Sequence, residues 1–388
     1  MVTTPDRAVM RWLFTFSGVV ALLVVFGGFV RLTRSGLSIT EWKPVTGVIP
    51  PIGERAWQDA FAEYQRTPEF IHVNSSMTLA EFQRIFTIEW LHRLIARLAG
   101  FAYAIPFFTF LALKRIPRRD LAVYLAMGSL FVLQAIAGWV MVASGMKDRP
   151  SVSHINLAVH LLMALMLFAI AWWTALSHKF SPSVPRRGAR WSTMSRLTAA
   201  FVGALVVQIA YGGFTAGLKA GHVSDTWPKM FGSWLPAGLF SSFGDLVEAP
   251  ATIVFIHRWF AFVVATVAVA VAIVALRHST EATVRRGVIA LVSLVCLQIV
   301  LGVTTVLTSV NEVLALSHQT TAVALLAAGV FVLHRVRALD SGPTPSDPSG
   351  SGSSLDERDV RIQVEEVPVA ARGPIDAPAL TGVRVSGG

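Results

Sequence analysis

The sequence predicts an all-α integral membrane protein: eight transmembrane helices forming two tandem four-helix bundles, related by a pseudo-two-fold axis along the membrane normal. Three observations predict it. The 388 residues are 54% hydrophobic and only 14% charged, against roughly 25% charged residues in a soluble domain. Eight segments are long and apolar enough to cross about 30 Å of hydrocarbon. The last four of these repeat features of the first four.

In order, the expected spans are Trp12–Val30, Phe86–Leu113, Leu121–Val142, Val152–Leu176, Leu197–Leu218, Thr252–Leu276, Val288–Thr308 and Val313–Leu333. The net charge of +10 would suit a nucleic-acid binder, but its distribution follows topology instead. Arg7 and Arg11 precede the first span, and Lys114, Arg115, Arg118 and Arg119 follow the second. Lys179, Arg186, Arg187, Arg190 and Arg196 follow the fourth, Arg277, Arg285 and Arg286 the sixth, and Arg335 and Arg337 the eighth. All lie on one side of an eight-span chain, while the alternate short loops carry little more than Lys147 and Arg149. The positive-inside rule then puts both termini in the cytoplasm. The N-terminus has neither a small-residue cleavage site nor a Ser/Arg-rich amphipathic leader. The first span is therefore expected to be retained, in a bacterial inner membrane rather than a mitochondrial one. The one cysteine, Cys296, falls inside the seventh span, so no intramolecular disulfide forms.

The halves align on specific residues. GGFVRLTRSGLSITEW from Gly27 matches GGFTAGLKAGHVSDTW from Gly212 without gaps; LHRLIARLAG from Leu91 parallels IHRWFAFVVA from Ile256; LQAIAG from Leu133 parallels LQIVLG from Leu297. The repeat is parallel, each half having the same membrane orientation. Residues 1–11 are expected to form a cytoplasmic N-terminus, 12–176 the first half, 177–196 a cytoplasmic linker, 197–337 the second half, and 338–388 a disordered Pro/Ser/Gly-rich tail. The outer loop after the first span, about Arg31 to Arg84, is longer than its counterpart. A long polar loop in such a protein is usually functional.

Four histidines occupy matching places: His92 and His160 in the first half, His257 and His318 in the second. Each lies about five to nine residues inside a span entered from the outer face, roughly 7–14 Å deep. Two histidines at one depth on facing helices can bind one haem iron axially. The pattern therefore suggests two haem sites near the outer leaflet, with another metal, a proton relay or plain packing as alternatives. His72, His178, His278 and His334 fall in loops or at helix ends and are expected to be solvated. His154 should lie on another face from His160, nearer the surface, and His222 sits in an outer loop.

Arg93 and Arg258 directly follow a histidine, where a guanidinium could grip a haem propionate or snorkel to the interface. Glu89 precedes His92 by three residues and shares its helix face; its counterpart is Val254. An intramembrane carboxylate implies function, with a salt bridge to Arg93 as the competing reading. Arg97 likewise has only Phe262 opposite it. The halves thus share a scaffold but differ in reactive groups. The glycine pairs Gly27–Gly28 and Gly212–Gly213 suit close approach of a helix or a porphyrin. Gln134 and Gln298 read as interhelical hydrogen-bonding amides.

At GGFVRLTRSGLSITEWKPVTGVIPP, MTLAEFQRIFTIEWLHRLIAR, the His160 segment, FIHRW and LALSHQ, the chain resembles the haem A synthase family from about Trp12 to Leu333. The WKPVTG loop resembles its mitochondrial and proteobacterial branch. An outer-loop cysteine pair of another branch is lacking. The resemblance implies oxidation of the C8 methyl group of haem O to a formyl group, through two hydroxylations and loss of water from a geminal diol, giving haem A for terminal oxidases. It implies haem B in the second half on His257 and His318. The substrate haem would bind in the first half, with His92 and His160 near its iron and Glu89 acting on the oxidised methyl.

A di-haem b-type cytochrome that transfers electrons or oxidises quinol would share the four histidines but give Glu89 no role. A transporter would need no redox chemistry. Haem O is the expected substrate, with membrane lipid around the chain and no nucleic acid. Haem O synthase, an electron acceptor, a terminal-oxidase assembly partner and a homo-oligomer are compatible partners that these residues do not identify.

Overall fold

Asp6 starts the first helix. Its carboxylate accepts from the backbone N–H groups of Ala8 and Val9 at 2.8 and 3.0 Å, filling donors that a helix N-terminus leaves open. In the computed structural model, which describes residues 5–43, 46–146, 150–180 and 191–340, α1 accordingly runs Arg7–Leu32. Seven further helices are long and apolar enough to cross a membrane: α4 Leu79–Ala112, α5 Leu121–Ser144, α6 His154–Lys179, α7 Thr193–Gly217, α9 Pro250–His278, α10 Ala282–Leu307 and α11 Glu312–Leu339. Three short helices lie in the loops that follow α1 and α7: α2 Glu54–Tyr64, α3 Pro68–His72 and α8 Asp245–Glu248. All eight expected spans are thus helical, and this is a multi-pass all-α membrane protein. Lys147, Arg149, Arg186, Arg187, Arg190 and the tail from 341 lie outside the described residues.

Most helix ends lie further out than hydropathy placed them, and polar caps hold several of them. Thr78 and Glu81 form a reciprocal capping box on α4, and Ser153, Ser192 and Asn311 cap α6, α7 and α11. The change is largest in α4. Its first two turns stand outside the expected span and bury Phe82, Ile85 and Phe86 against Tyr64, Trp57 and Phe61 of α2. The long first outer loop is therefore a folded cap on an extended helix.

Within the first half α1 packs on α4 and α6, and α5 packs on α4 and α6. Within the second, α7 packs on α9 and α11, and α10 packs on α9 and α11. Between halves, α6 meets α7 and α11, and α1 meets α11. This set of pairings is unchanged when the halves are exchanged. Backbone detail repeats too: Arg34 and Lys219, equivalent in the alignment, both take positive φ, 51° and 54°.

Two histidines expected in solvent are buried. His178 accepts from the Asp6 backbone N–H at 3.1 Å and lies 2.8 Å from the Tyr124 hydroxyl. His334 lies 3.1 Å from Ser177 Oγ and edge-on to Trp173. The reason is that α6 and α11 extend past their expected ends, His178 packing on the start of α1 and on α5 within its own half, and His334 packing on α6 across the junction of the halves. His154 is also buried, its Nε2 2.7 Å from the Val247 carbonyl beside α8. His72 and His278 are exposed as expected.

The α6–α7 contact depends on missing side chains. Gly213 and Gly217 stand one turn apart on α7. A methyl group on Gly213 would come within 3.2 Å of Ala158 Cβ, and one on Gly217 within 2.6 Å of the His154 backbone. Gly217→Val should force the helices apart and cost about 1–3 kcal/mol or more. Gly203→Ala, on the same helix with nothing within 4 Å, should be neutral or stabilising by up to about 1 kcal/mol. Thermal unfolding in detergent checks both.

Candidate functional site

Each of the four histidines points at a neighbouring helix where a side chain is missing. A Cβ built on Gly27 of α1 would lie 3.3 Å from His92, and one on Gly138 of α5 2.9 Å from His160. On Gly212 of α7 it would lie 3.1 Å from His257, and on Gly302 of α10 3.0 Å from His318. Glycine is what admits each ring. The predicted glycine pairs divide their work: Gly27 and Gly212 face histidines of their own half, while Gly28 and Gly213 face Gln319 and Ala158 of the other half.

One turn before three of these glycines stands a glutamine. Gln134 Nε2 lies 3.3 Å from the His160 ring and donates to its carbonyl at 3.0 Å. Gln208 Nε2 lies 3.2 Å from His257 Nδ1 and donates to its carbonyl at 2.8 Å. Gln298 Nε2 lies 3.3 Å from the His318 ring. The fourth position is Leu23, whose backbone hydrogen-bonds His92 in place of a glutamine amide. Gln208, Gly138 and Gly302 were not singled out from sequence. The signal was present: QAIAG, QIAYG and QIVLG share a Q-x-x-x-G spacing, and LVVFG before His92's helix is its variant.

The residues fit haem. The His257 and His318 ring centroids are 6.4 Å apart at 81°. Two imidazoles on opposite sides of one iron, each with a metal–nitrogen bond of about 2 Å and a nitrogen roughly 1.1 Å from the ring centre, would place centroids about 6.2 Å apart. All four histidines are half-buried residues inside the bundle. His160 Nδ1, His318 Nδ1 and the Oε1 atoms of Gln134, Gln208 and Gln298 are buried without partners. Native proteins rarely strand such groups. Among the described residues, no three His, Cys, Asp or Glu side chains converge on a bare metal ion.

Above the histidines, one arginine in each half ties down the outer loop. Arg93 donates to the carbonyls of Ile39 and Glu41 at 3.3 and 3.4 Å. Arg258 donates to those of Ser224 and Thr226 at 2.5 and 3.0 Å. These are equivalent loop positions in the gapless alignment from Gly27 and Gly212. The guanidinium groups are engaged by the loops, and only Arg258 Nε remains buried without a partner. In the first half Glu89 adds to the clamp. It pairs with Arg93 at 2.6 Å and accepts from Ser38 N, Ser38 Oγ and Ile39 N at 2.8, 2.7 and 2.9 Å. The salt bridge read as the competing explanation is formed. Val254, its counterpart, packs instead with Ala220 and Met230. Arg97 donates to the Lys43 carbonyl at 3.0 Å, while Phe262 stacks on Trp227. His222 is exposed.

The cap holds a second buried carboxylate, Glu69, 5% exposed. Tyr64 donates to it at 3.4 Å and itself accepts from Asn74 at 2.7 Å. Burial, then the negative charge of Glu89, push the Glu69 carboxyl up to about 7; Tyr64, Lys219 and Arg34 oppose this without cancelling it. Burial and Arg34 in turn lower the Lys219 ammonium. The folded cap thus keeps a proton on Glu69 at pH values where the unfolded chain has lost it. Its stabilising contribution is full below the unfolded value and is lost as pH rises through the folded one. Limited proteolysis within residues 54–74 should become easier between about pH 5 and pH 8. Glu69→Gln should remove that dependence, and an unchanged pH profile would refute the assignment.

A family model described as cytochrome oxidase assembly protein matches residues 10–330. The heme A synthase of Chelativorans sp. (strain BNC1) is 41% identical over 331 residues, 83% of this chain and 89% of that protein. The heme A synthase of Caulobacter vibrioides is 41% identical over 341 residues, 86% and 97% of the two chains. That of Maricaulis maris is 39% identical over 331 residues, 84% and 96%. The match covers both halves, all four histidines and both clamps, and the chain belongs to the cytochrome oxidase assembly protein family.

Proposed function

We propose that this protein is a haem A synthase, an oxidoreductase of a bacterial inner membrane that converts the C8 methyl group of haem O to the formyl group of haem A. The carrying observation is the pair of glycine-cradled histidine sets, one in each half, in a chain about 40% identical to heme A synthases. The exchange-invariant helix pairings support a pseudo-two-fold axis along the membrane normal. The charge pattern supports cytoplasmic termini and haem sites toward the periplasm.

His257 and His318 would hold haem B in the second half, where it would supply an electron-transfer centre, and His92 and His160 would hold haem O in the first. Arg93 and Arg258 fix the outer loops above the two sites, and Arg258 Nε remains to meet a propionate. Glu89 belongs to the first half alone. It lies one turn from His92 and brings Ser38 and Ile39 over the substrate site. Its acceptor oxygens stabilise positive charge, or take up a proton, as the methyl group is oxidised. Haem O is water-poor and farnesylated, so direct delivery from haem O synthase within the bilayer suits it. The electron acceptor is a further partner, and homo-oligomerisation is compatible with the fold.

Co-expression with a haem O synthase in a host lacking haem A, followed by extraction of the non-covalent haems, tests the function. A hydroxymethyl or formyl haem that depends on this protein is the expected result. Unmodified haem B alone, with haem O available, would instead support the di-haem cytochrome. Glu89→Gln should stop or stall conversion while haem B remains bound, and full haem A production by that variant would refute the role of Glu89. Removing one partner of this buried ion pair should also cost about 3–5 kcal/mol of stability. Thermal unfolding separates that loss from the chemical defect.

A further inference from the structure

The Q-x-x-x-G cradles are not distributed evenly. In the second half both histidines have one: Gln208 and Gly212 behind His257, Gln298 and Gly302 behind His318. In the first half only His160 has one, from Gln134 and Gly138. Behind His92 the glycine remains, Gly27, but Leu23 replaces the glutamine. The gapless alignment of the halves makes Leu23 the direct equivalent of Gln208.

A primary amide behind an axial histidine does two things. Its Nε2 sits between the ring and the adjoining backbone carbonyl at Gln134 and Gln208, which restrains the angle of the ring about its own axis. It also spans two helices: Gln134 and Gln208 each donate to the carbonyl of the histidine residue itself. The ring and its helix are then held before any iron arrives, so less freedom is lost on ligation. Outer partners of this kind typically change metal affinity by about 10–100-fold. At His92 the hydrogen bond is to the backbone of Leu23 instead, and the neighbouring side chain is the apolar ring of Phe26, 5.9 Å away. The glycine cradle admits the ring, but no amide ties it to the backbone of its own helix.

We infer that the three glutamines are positioning residues for axial histidines, and that Leu23 makes His92 the ligand that lets go. This deepens the functional reading above and rests on it. A resident haem needs two steered ligands, and the second half has them. A haem that must arrive, react and leave needs a site that binds well on one side and releases on the other. His160 and His92 differ in that sense. Leu23 and glutamine have similar volumes, so the position can take either side chain without overpacking.

The experiment is haem transfer from the purified protein in detergent to excess apomyoglobin, followed by absorbance. The wild type, loaded with both haems, should release them in a fast and a slow phase. Gln208→Leu and Gln298→Leu should each speed the slow phase about tenfold or more. The g-values of the low-spin ferric haem should shift with them, since these follow the orientation of the imidazole planes. Leu23→Gln should slow the fast phase about tenfold, a gain that misfolding cannot imitate. Unchanged slow-phase rates and g-values in both glutamine variants, or an unchanged fast phase in Leu23→Gln, would overturn the inference. His257→Ala separates the two levels of the argument. Loss of the slow-phase haem upholds the ligand reading independently of the glutamines, and retention of that haem would overturn both.

Discussion

An imidazole ring cannot enter a helix–helix contact unless the facing helix gives up a side chain at that point. That steric constraint organises this protein. Four times a glycine stands where a Cβ would come within 2.9–3.3 Å of a histidine ring. The glycines therefore set which helices can be neighbours: α1 with α4, α5 with α6, α7 with α9, α10 with α11. Fixing those four pairs leaves little freedom in how each half closes. The second glycine of the α1 and α7 pairs then brings the halves together, against Gln319 and Ala158. Site and fold share one set of residues.

The outer loops follow from the same helices. An arginine one residue after a histidine lies about 100° round the helix, away from the ring and toward the loop above. Arg93 and Arg258 both use that direction to hold loop carbonyls at equivalent positions. The first half builds more on this base. Glu89 accepts loop N–H and hydroxyl donors in addition to Arg93, and the two extra turns of α4 carry the α2–α3 cap. The extra polar contacts and the extra layer lie over the half whose contents are proposed to change.

Much of this was legible in the sequence. Eight apolar segments and the repeat were visible because hydropathy and register survive without coordinates. The four histidines stood out because matched polar residues in apolar helices are costly. Helix ends were missed where a cap such as Thr78 with Glu81 extends a helix past its apolar stretch. The burial of His178 and His334 was missed because position near a helix end says nothing about which neighbour covers it. The dual engagement of Glu89 was only half visible: the i,i+4 pairing with Arg93 follows from spacing, but the bonds to Ser38 and Ile39 span some fifty residues of chain. Gln208 was hidden because its repeat partner, Leu23, is apolar, so aligning the halves erased it.

That erased position is also where the repeat is most informative. Duplicated halves keep what both sites need and differ where their tasks differ. The glycines, histidines and clamp arginines are common to both, so they serve binding and closure. Glu89, Arg97 and Leu23 are peculiar to the first half, where Val254, Phe262 and Gln208 are their counterparts. Two of these differences add charge near the outer mouth, and the third removes a hydrogen-bonding amide from behind one histidine. A site that gains reactive groups while losing a restraint on one ligand suits turnover. A site with two restrained ligands and apolar groups in place of the carboxylate and one arginine suits a cofactor that stays. The physical asymmetry is thus in keeping with the proposed division of tasks between the two halves.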